Sequence, residues 1–292
     1  MKFHTPVLLQ EVIEFLDPKS GRLFIDATIG GGGHTLEILK KGGKVLGIDR
    51  DPQAIEHIKK EVRSSQFAVH SLELVQGNFS NIGEIAKSNS FANVDGILFD
   101  LGVSSYQLEE AKRGFSFTKD GPLDMRMDHQ INIKASDLIN NLDKRRLNEI
   151  FKTYGQEKLS RPIADAICSA RQIEIIETTG KLASIVEEVY RKFREKGKLH
   201  PATKTFQALR IVVNSELLNL EETLPQTVDL LKTGGRLVIV SFHSLEDGIV
   251  KRFFKRSPRL KVLTVKPIGP RKEEILDNPR SRSAKLRAAE KI

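Results

Sequence analysis

The alternation of apolar and polar positions divides the chain into short apolar runs and longer stretches with a helical period. Leu23–Ile25, Lys44–Ile48, Ser71–Val75, Val94–Phe99 and Arg236–Ser241 read as strands. A strand covered on both faces shows a continuous apolar run where a half-exposed one would alternate. Helical periods lie between them. Leu9, Val12, Ile13 and Leu16 share one face and stop at Pro18 and Gly21; Leu36, Ile38 and Leu39 follow the first strand, and Gln53 to Val62 follows the second. Strands alternating with helices predict an α/β fold on a parallel sheet with helices on both faces. From about Glu109 to His200 the strand signal stops, and helical periods cover Ala135–Asn141, Lys144–Thr153, Ser160–Ile176 and Thr179–Lys196. Two more helices are expected over Thr205–Leu220 and Leu224–Leu231, with Lys232-Thr-Gly-Gly as the stop before the fifth strand. The expected layout is an α/β domain in two parts, 1–108 and 205–292, interrupted by a helical insertion over 109–204.

The first strand carries Asp26 near its end, then Gly30 to Gly33, then His34 at the start of the next helix. Strand, glycine loop and helix form the opening unit of nucleotide-binding α/β folds. A dinucleotide fingerprint starting at Gly30 would need its third glycine at Thr35, which weakens a nicotinamide reading. Counted from the strand end, Asp26-x-x-x-Gly30-x-Gly32 resembles the first motif of S-adenosylmethionine-dependent methyltransferases. Asp49, after the second strand, stands where an acid accepts hydrogen bonds from ribose hydroxyls. The alternative is that it joins Asp51-Pro52 in capping the next helix. Phe79, in the loop after the third strand, is suited to stacking on a base and equally to a place in the core. Asp100 ends the fourth strand, where ligands of open α/β sheets bind, and suits an ammonium or an incoming amine.

Longer blocks then carry a specific resemblance. Asp100-Leu-Gly-Val-Ser-Ser, Arg113-Gly-Phe-Ser-Phe117, Asp120-Gly-Pro-Leu-Asp-Met-Arg-Met127, His200-Pro-Ala-Thr-Lys-Thr-Phe-Gln-Ala-Leu-Arg-Ile211, Ser241-Phe-His-Ser-Leu-Glu-Asp247 and Asn278-Pro-Arg-Ser-Arg-Ser-Ala-Lys-Leu-Arg287 are similar to the RsmH (MraW) family, as is His4-Thr-Pro-Val-Leu-Leu at the amino end. The resemblance implies a Rossmann-like class I methyltransferase sheet with an inserted all-helical domain on the substrate side. It implies S-adenosylmethionine-dependent transfer of a methyl group to the exocyclic N(4) amine of a cytosine in the decoding region of 16S rRNA. The implied cofactor residues are Gly32, Gly33, His34, Asp49, Phe79, Asp100 and Gln107, with Asp100 also the catalytic candidate. Ser104, Ser105 and Tyr106 line the expected substrate pocket. Ser241 and His243 approach it from the fifth strand, while Ser244 is expected to cap the following helix with Asp247 as its acidic counterpart.

Composition narrows the chemistry. The net charge of +9 is carried by the carboxy-terminal part: residues 251–292 hold 14 Lys and Arg against 4 Asp and Glu, the remainder 33 against 34. Such a segment is suited to a phosphate backbone, or is a solvated tail. Phe253, Phe254, Leu260, Val262, Leu263 and Val265 predict that a strand or helix anchors it. The one cysteine, Cys168, rules out a disulfide framework and the two-cysteine zinc motif of base deaminases. It also argues against methylation at a ring carbon, which needs an attacking thiolate. No metal is expected, because a positively charged sulfonium is already a good leaving group. The strand-four motif is Asp100-Leu-Gly-Val and not the Asp/Asn-Pro-Pro-aromatic of many amino-methyltransferases. Without a long apolar run or a signal-peptide core, a cytoplasmic protein with no membrane partner is expected. The expected partner is 16S rRNA within the small ribosomal subunit or its precursor, and a homodimer stays open.

Overall fold

The apolar runs pair with one another; those containing Phe24, Val45, Ile97 and Val238 are buried on both faces, while Leu72–Gln76 is only partly buried. The computed structural model describes residues 6–63, 71–195 and 199–292; the side chains of Arg63 and Ser105 fall outside it, as do His4, Thr5 and Lys196 among the features above. In chain order the elements are α1 (Leu9–Leu16), β1 (Leu23–Asp26), α2 (Gly33–Lys40), β2 (Lys44–Asp49), α3 (Pro52–Arg63), β3 (Leu72–Gln76), α4 (Ile82–Ser88) and β4 (Val94–Asp100). Next come α5 (Ser105–Glu109), α6 (Ala135–Asn141), α7 (Lys144–Tyr154), α8 (Ser160–Ile173), α9 (Thr179–Lys192) and α10 (Thr203–Val213). The chain closes with α11 (Glu216–Leu230), β5 (Leu231–Ser241), α12 (Ser244–Arg256), β6 (Leu260–Val262), α13 (Lys272–Asp277) and β7 (Lys285–Lys291). Among the described residues no helix is long and apolar enough to cross a membrane.

Packing divides the chain into two compact units, Met1–Ser104 with Leu217–Ile292, and Ser105–Glu216. The boundaries differ from the expected 108/109 and 204/205. Helix α10, expected to resume the α/β pattern, packs instead on α7 and α6 within the helical unit. The first unit is built on a sheet of order β3-β2-β1-β4-β5-β7-β6. Strands β1 to β5 run parallel, and β7 is antiparallel to both β5 and β6. Adjacent residues of one run serve opposite faces. Ile25, Ile97, Phe99, Leu237 and Ile239 pack with Ile82 of α4, Leu224 of α11 and Phe254 of α12. Phe24, Leu98, Val238 and Val240 pack with Val12 and Leu16 of α1 and Ile38 of α2.

Two local expectations are corrected. Pro225 lies inside α11, which continues unbroken; the chain turns earlier, at Ser215, whose φ is 51°. An interior proline costs a helix about 3 kcal/mol, offset here by the unbroken stripe Leu220, Leu224 and Val228 against the sheet. Lys232-Thr-Gly-Gly does not end a helix but bulges from β5: Val94 pairs with Leu231, and the next partners are Gly96 and Arg236.

The basic carboxy-terminal segment is not a solvated tail. It forms β7, an internal strand, with Leu286, Ala288 and Ala289 fully buried. The buried Arg287 guanidinium donates to the Asp247 carboxylate at 2.6 Å, so its charge is matched inside the unit.

Deleting Lys285–Ile292 is therefore expected to abolish the cooperative folding of the α/β unit. Truncating a single buried leucine such as Leu286 to alanine costs about 2–5 kcal/mol, a large part of the roughly 5–15 kcal/mol that holds a domain folded. Thermal melts monitored by circular dichroism test this; a truncated chain melting cooperatively at the full-length temperature would contradict it.

Candidate active site

Parallel strands β2, β1 and β4 lie side by side and end in Asp49, Asp26 and Asp100, respectively. The sheet order reverses between β1 and β4, the position where open α/β sheets form their ligand crevice. The loop after β1 is bonded to all three acids. The Thr35 hydroxyl donates to Asp26 at 2.7 Å, and the Gly30 amide donates to Asp49 at 2.9 Å. The Asp100 amide donates to the Thr28 hydroxyl oxygen at 2.6 Å. Neither Asp26 nor Thr28 was among the expected site residues. Asp26 had a signal, its place at a strand end before the glycines; Thr28 had none.

The glycines serve two purposes. A side chain on Gly32, which has φ of 75°, would meet Ile58 Cδ1 at 2.0 Å, and one on Gly33 would meet Pro6. These two allow the protein to pack closely against itself on the Cβ side of the loop. At Gly30, φ is 49° and only the Thr28 carbonyl lies within 4 Å, so here the loop leaves open space.

Asp49 accepts the Gly30 amide on one oxygen and the Asp51 amide, at 2.9 Å, on the other. Each oxygen retains a further lone pair, which is the arrangement a diol requires. The cap of α3 is Asp51, which accepts from Gln53 N at 3.0 Å, so the ribose and cap roles fall on neighbouring residues. Phe79 meets Phe99 edge-on at 5.6 Å and has the Arg50 guanidinium over its ring at 5.7 Å. Arg50 also donates to the Asn78 side-chain oxygen, which accepts from Ser80 N as well.

His34 is buried in the first turn of α2. Its Nε2 is 3.0 Å from the Val7 carbonyl, which can only accept, so the ring proton sits on Nε2. Nδ1 is then 3.7 Å from Asp100 Oδ2.

Burial dominates the electrostatics. It raises the Asp26 pKa to about 6, against the hydrogen bonds from Thr35 and Thr28, with the Asp49 charge adding to the rise. Burial likewise raises Asp49, opposed by its two backbone donors. Asp100 is raised well above the usual carboxylate range, by burial first and then by the charges of Asp26 and Glu246. Acids crowded in this way favour a cation among them, since an opposite charge restores their ionised form.

The other expected residues divide between the units. Tyr106 and Gln107 belong to α5 of the helical unit, where Gln107 is buried; Ser104 is the last residue before that unit. Ser241 is buried, and its hydroxyl donates to the Lys285 carbonyl at 3.3 Å, which spends it on the β5–β7 pairing. His243, not Ser244, caps α12. Its side chain accepts from Glu246 N, and Glu246 accepts from the Phe242 and His243 amides. Asp247, the expected acidic counterpart, pairs with Arg287.

The model of the MraW methylase family matches residues 1–292. The chain is 48% identical to the ribosomal RNA small subunit methyltransferase H of Persephonella marina, covering 99% of both chains. It is also 48% identical to the protein of that name from Deinococcus radiodurans, over 99% of this chain and 89% of the relative. Among solved structures, a proposed rRNA-methylase of Clostridium thermocellum aligns over 99% of both chains with a TM-score of 0.50 and 14% identity, a likeness of fold. With the family model matched from end to end and close relatives of equal span, the chain belongs to the MraW methylase family.

Proposed function

We propose that the chain is an S-adenosylmethionine-dependent methyltransferase of small-subunit ribosomal RNA. It methylates the exocyclic N(4) amine of a cytosine in the decoding region of 16S rRNA, by direct in-line attack without a metal or covalent intermediate. The observation that carries this reading is the row of acids, Asp49, Asp26 and Asp100, whose ionisation burial disfavours until a cation enters. When bound, S-adenosylmethionine supplies a methyl group on a positive sulfonium beside a second positive charge, its ammonium. Asp49 offers its remaining lone pairs to the ribose, Gly30 leaves room for the ligand, and Gln107 completes the set suggested by family likeness. The names of the relatives support the small-subunit rRNA substrate.

The amine of cytosine is a poor nucleophile because its lone pair is delocalised into the ring. Asp100 counters this by accepting a hydrogen bond from the amine, which favours the pyramidal nitrogen that can attack. For this it must be ionised, and the cationic cofactor lowers its proton affinity at the moment it is needed. Thr28 fixes the Asp100 backbone, so the acceptor is positioned from the loop after β1. The family resemblance alone assigns Ser104, Ser105 and Tyr106 to the substrate pocket.

The first test uses radiolabelled S-adenosylmethionine with small subunits from a strain lacking this activity, followed by nucleoside analysis of the rRNA. Label in N(4)-methylcytidine is expected from the wild type. Asp100→Asn should lose about a hundredfold or more in kcat/KM, the scale of a missing general base. Label in another nucleoside would refute the assigned position, and no label would refute the substrate.

Cofactor binding should also displace protons from the acids. Their pKa values are raised in the free protein, Asp26 to about 6, and bound cation favours the ionised forms. Affinity is therefore weakest at low pH, strengthens through that range and levels off above it, rising at most about tenfold per pH unit for each group displaced. Calorimetry near pH 6 in two buffers of different ionisation enthalpy measures the release. A Kd independent of pH from about 5 to about 8 would sink the electrostatic argument.

A further inference from the structure

The block Asn278–Arg287 supplies none of the cleft residues, yet it is closely folded. Ser281 is fully buried and its hydroxyl donates to the Asn278 carbonyl at 2.8 Å, while the Ala284 amide donates to the Ser281 carbonyl at 2.7 Å. Opposite this turn, Ile268 exchanges two backbone hydrogen bonds with Leu286, at 3.0 and 2.8 Å, which holds Pro267 and Pro270 on either side of it. Between these segments and Phe242–Ser244 lies a concavity of about 540 Å³. That is within the roughly 300–1,000 Å³ of ligand pockets and ample for one nucleotide.

Phe242, Pro267 and Pro270 make its apolar wall, His243, Ser244 and Ser283 are neutral polar groups, and Arg282 and Lys285 are cationic; among the described residues no carboxylate lines it. Arg282 is exposed and makes no ion pair among the described residues. Lys285 stands 3.5 Å from Asp247, whose charge is already met by Arg287 at 2.6 Å. The concavity adjoins the strand end that bears Asp100. Asp100 pairs with Val240 in the sheet, and the Phe242 ring packs on Gly102, where a side chain would meet Phe242 Cδ2 at 3.1 Å. One residue, Phe242, is thus a wall of the concavity and a support of the turn after Asp100.

We propose that this concavity is a subsite for a nucleotide flanking the target base, with Arg282 and Lys285 on its phosphate and the prolines and Phe242 against its ribose or base. The proposal rests on the reading of the chain as an RNA methyltransferase. A base drawn from its stack leaves its neighbours' phosphates exposed and its neighbours unstacked. A rigid apolar recess with two cations at its rim, beside the acid that would receive the amine, meets both needs. The prolines and the paired backbone keep the recess formed before RNA arrives, so little ordering cost attends its use.

The test is the double variant Arg282→Gln/Lys285→Gln in the full-length chain, with Arg282→Lys/Lys285→Arg as the charge-conserving control. Melting temperature and affinity for S-adenosylmethionine should match the wild type, because Asp247 keeps Arg287. For small-subunit rRNA, KM should rise about tenfold with kcat within about twofold, and the salt dependence of binding should flatten by about 0.7 in log–log slope for the one single-strand phosphate that both cations hold. The control should restore both. An unchanged KM and salt slope would overturn the subsite, as would a defect seen with assembled subunits and absent with naked rRNA, which would indicate a protein contact. Should the wild type fail to methylate small-subunit rRNA, the proposed function falls. The subsite is then decided by fluorescence anisotropy with a short labelled single-stranded oligoribonucleotide: weaker binding by the double variant sustains it, and equal binding overturns it.

Discussion

The hydrogen bond from the Thr35 hydroxyl to the buried Asp26 carboxylate joins the end of β1 to the first turn of α2. Through this joint the loop from Thr28 to Thr35 is held where it can also touch the acids on both neighbouring strands. A carboxylate this deep is costly to ionise, and the raised pKa of Asp26 measures that cost. Asp49 and Asp100 share the predicament, each held by backbone or hydroxyl groups of the same loop and none fully neutralised by them. The cleft therefore waits for positive charge. Its geometry follows from β1 lying between β2 and β4, and its chemistry from the fact that all three strands end in aspartate.

The carboxy-terminal segment shows how one stretch of chain serves two opposed requirements. Its backbone belongs to the sheet interior, where β7 satisfies the edges of β5 and β6, and alternate residues fill the core. Its charge is sorted by depth. Arg287 is buried and consumed by Asp247, while Lys251, Arg252, Lys255 and Arg256 stand exposed along α12. The same α/β unit thus carries acids in a recess and bases on its surface, the charge separation that the proposed function calls for.

Much of this was legible in the sequence where one physical signal acted alone. Runs buried on both faces marked β1, β2, β4 and β5, since nothing else puts Phe24, Ile25 or Val238 to Val240 in unbroken apolar sequence. Reading failed where two signals competed. A break was expected between Leu220 and Leu224, but the buried stripe of Leu220, Leu224 and Val228 carries one helix through it, Pro225 included. Ser244 looked like the natural cap, but Glu246 stands three residues after His243 and bonds back to its amide, which moves the cap by one. The density of lysine and arginine hid β7, because its buried positions include two alanines and an arginine, weak as an apolar pattern. Asp26 escaped the site because no single-residue property distinguishes a strand-end acid that braces a loop from one that merely ends a strand.

The histidines show what geometry adds to a motif. His200 lies in one of the blocks shared with the family, in the helical unit. There its ring stacks on Phe117 at 4.3 Å, its Nδ1 accepts the Ala202 amide at 3.2 Å, and its Nε2 is 2.9 Å from Glu187. Phe206 meets the far side of Phe117 edge-on at 5.0 Å. Nearby, a side chain on Gly114 would fall 2.2 Å from the Pro122 carbonyl, and Arg113 donates to the carbonyls of Arg126 and Met127. These residues close a long loop, and their identity follows from packing. His34 is used differently: one nitrogen is fixed by the Val7 carbonyl, which determines the tautomer, and that choice directs the other at Asp100. His34 thus ties the segment before α1 to the acid at the end of β4, whereas His200 has both nitrogens and its ring face engaged within its own unit.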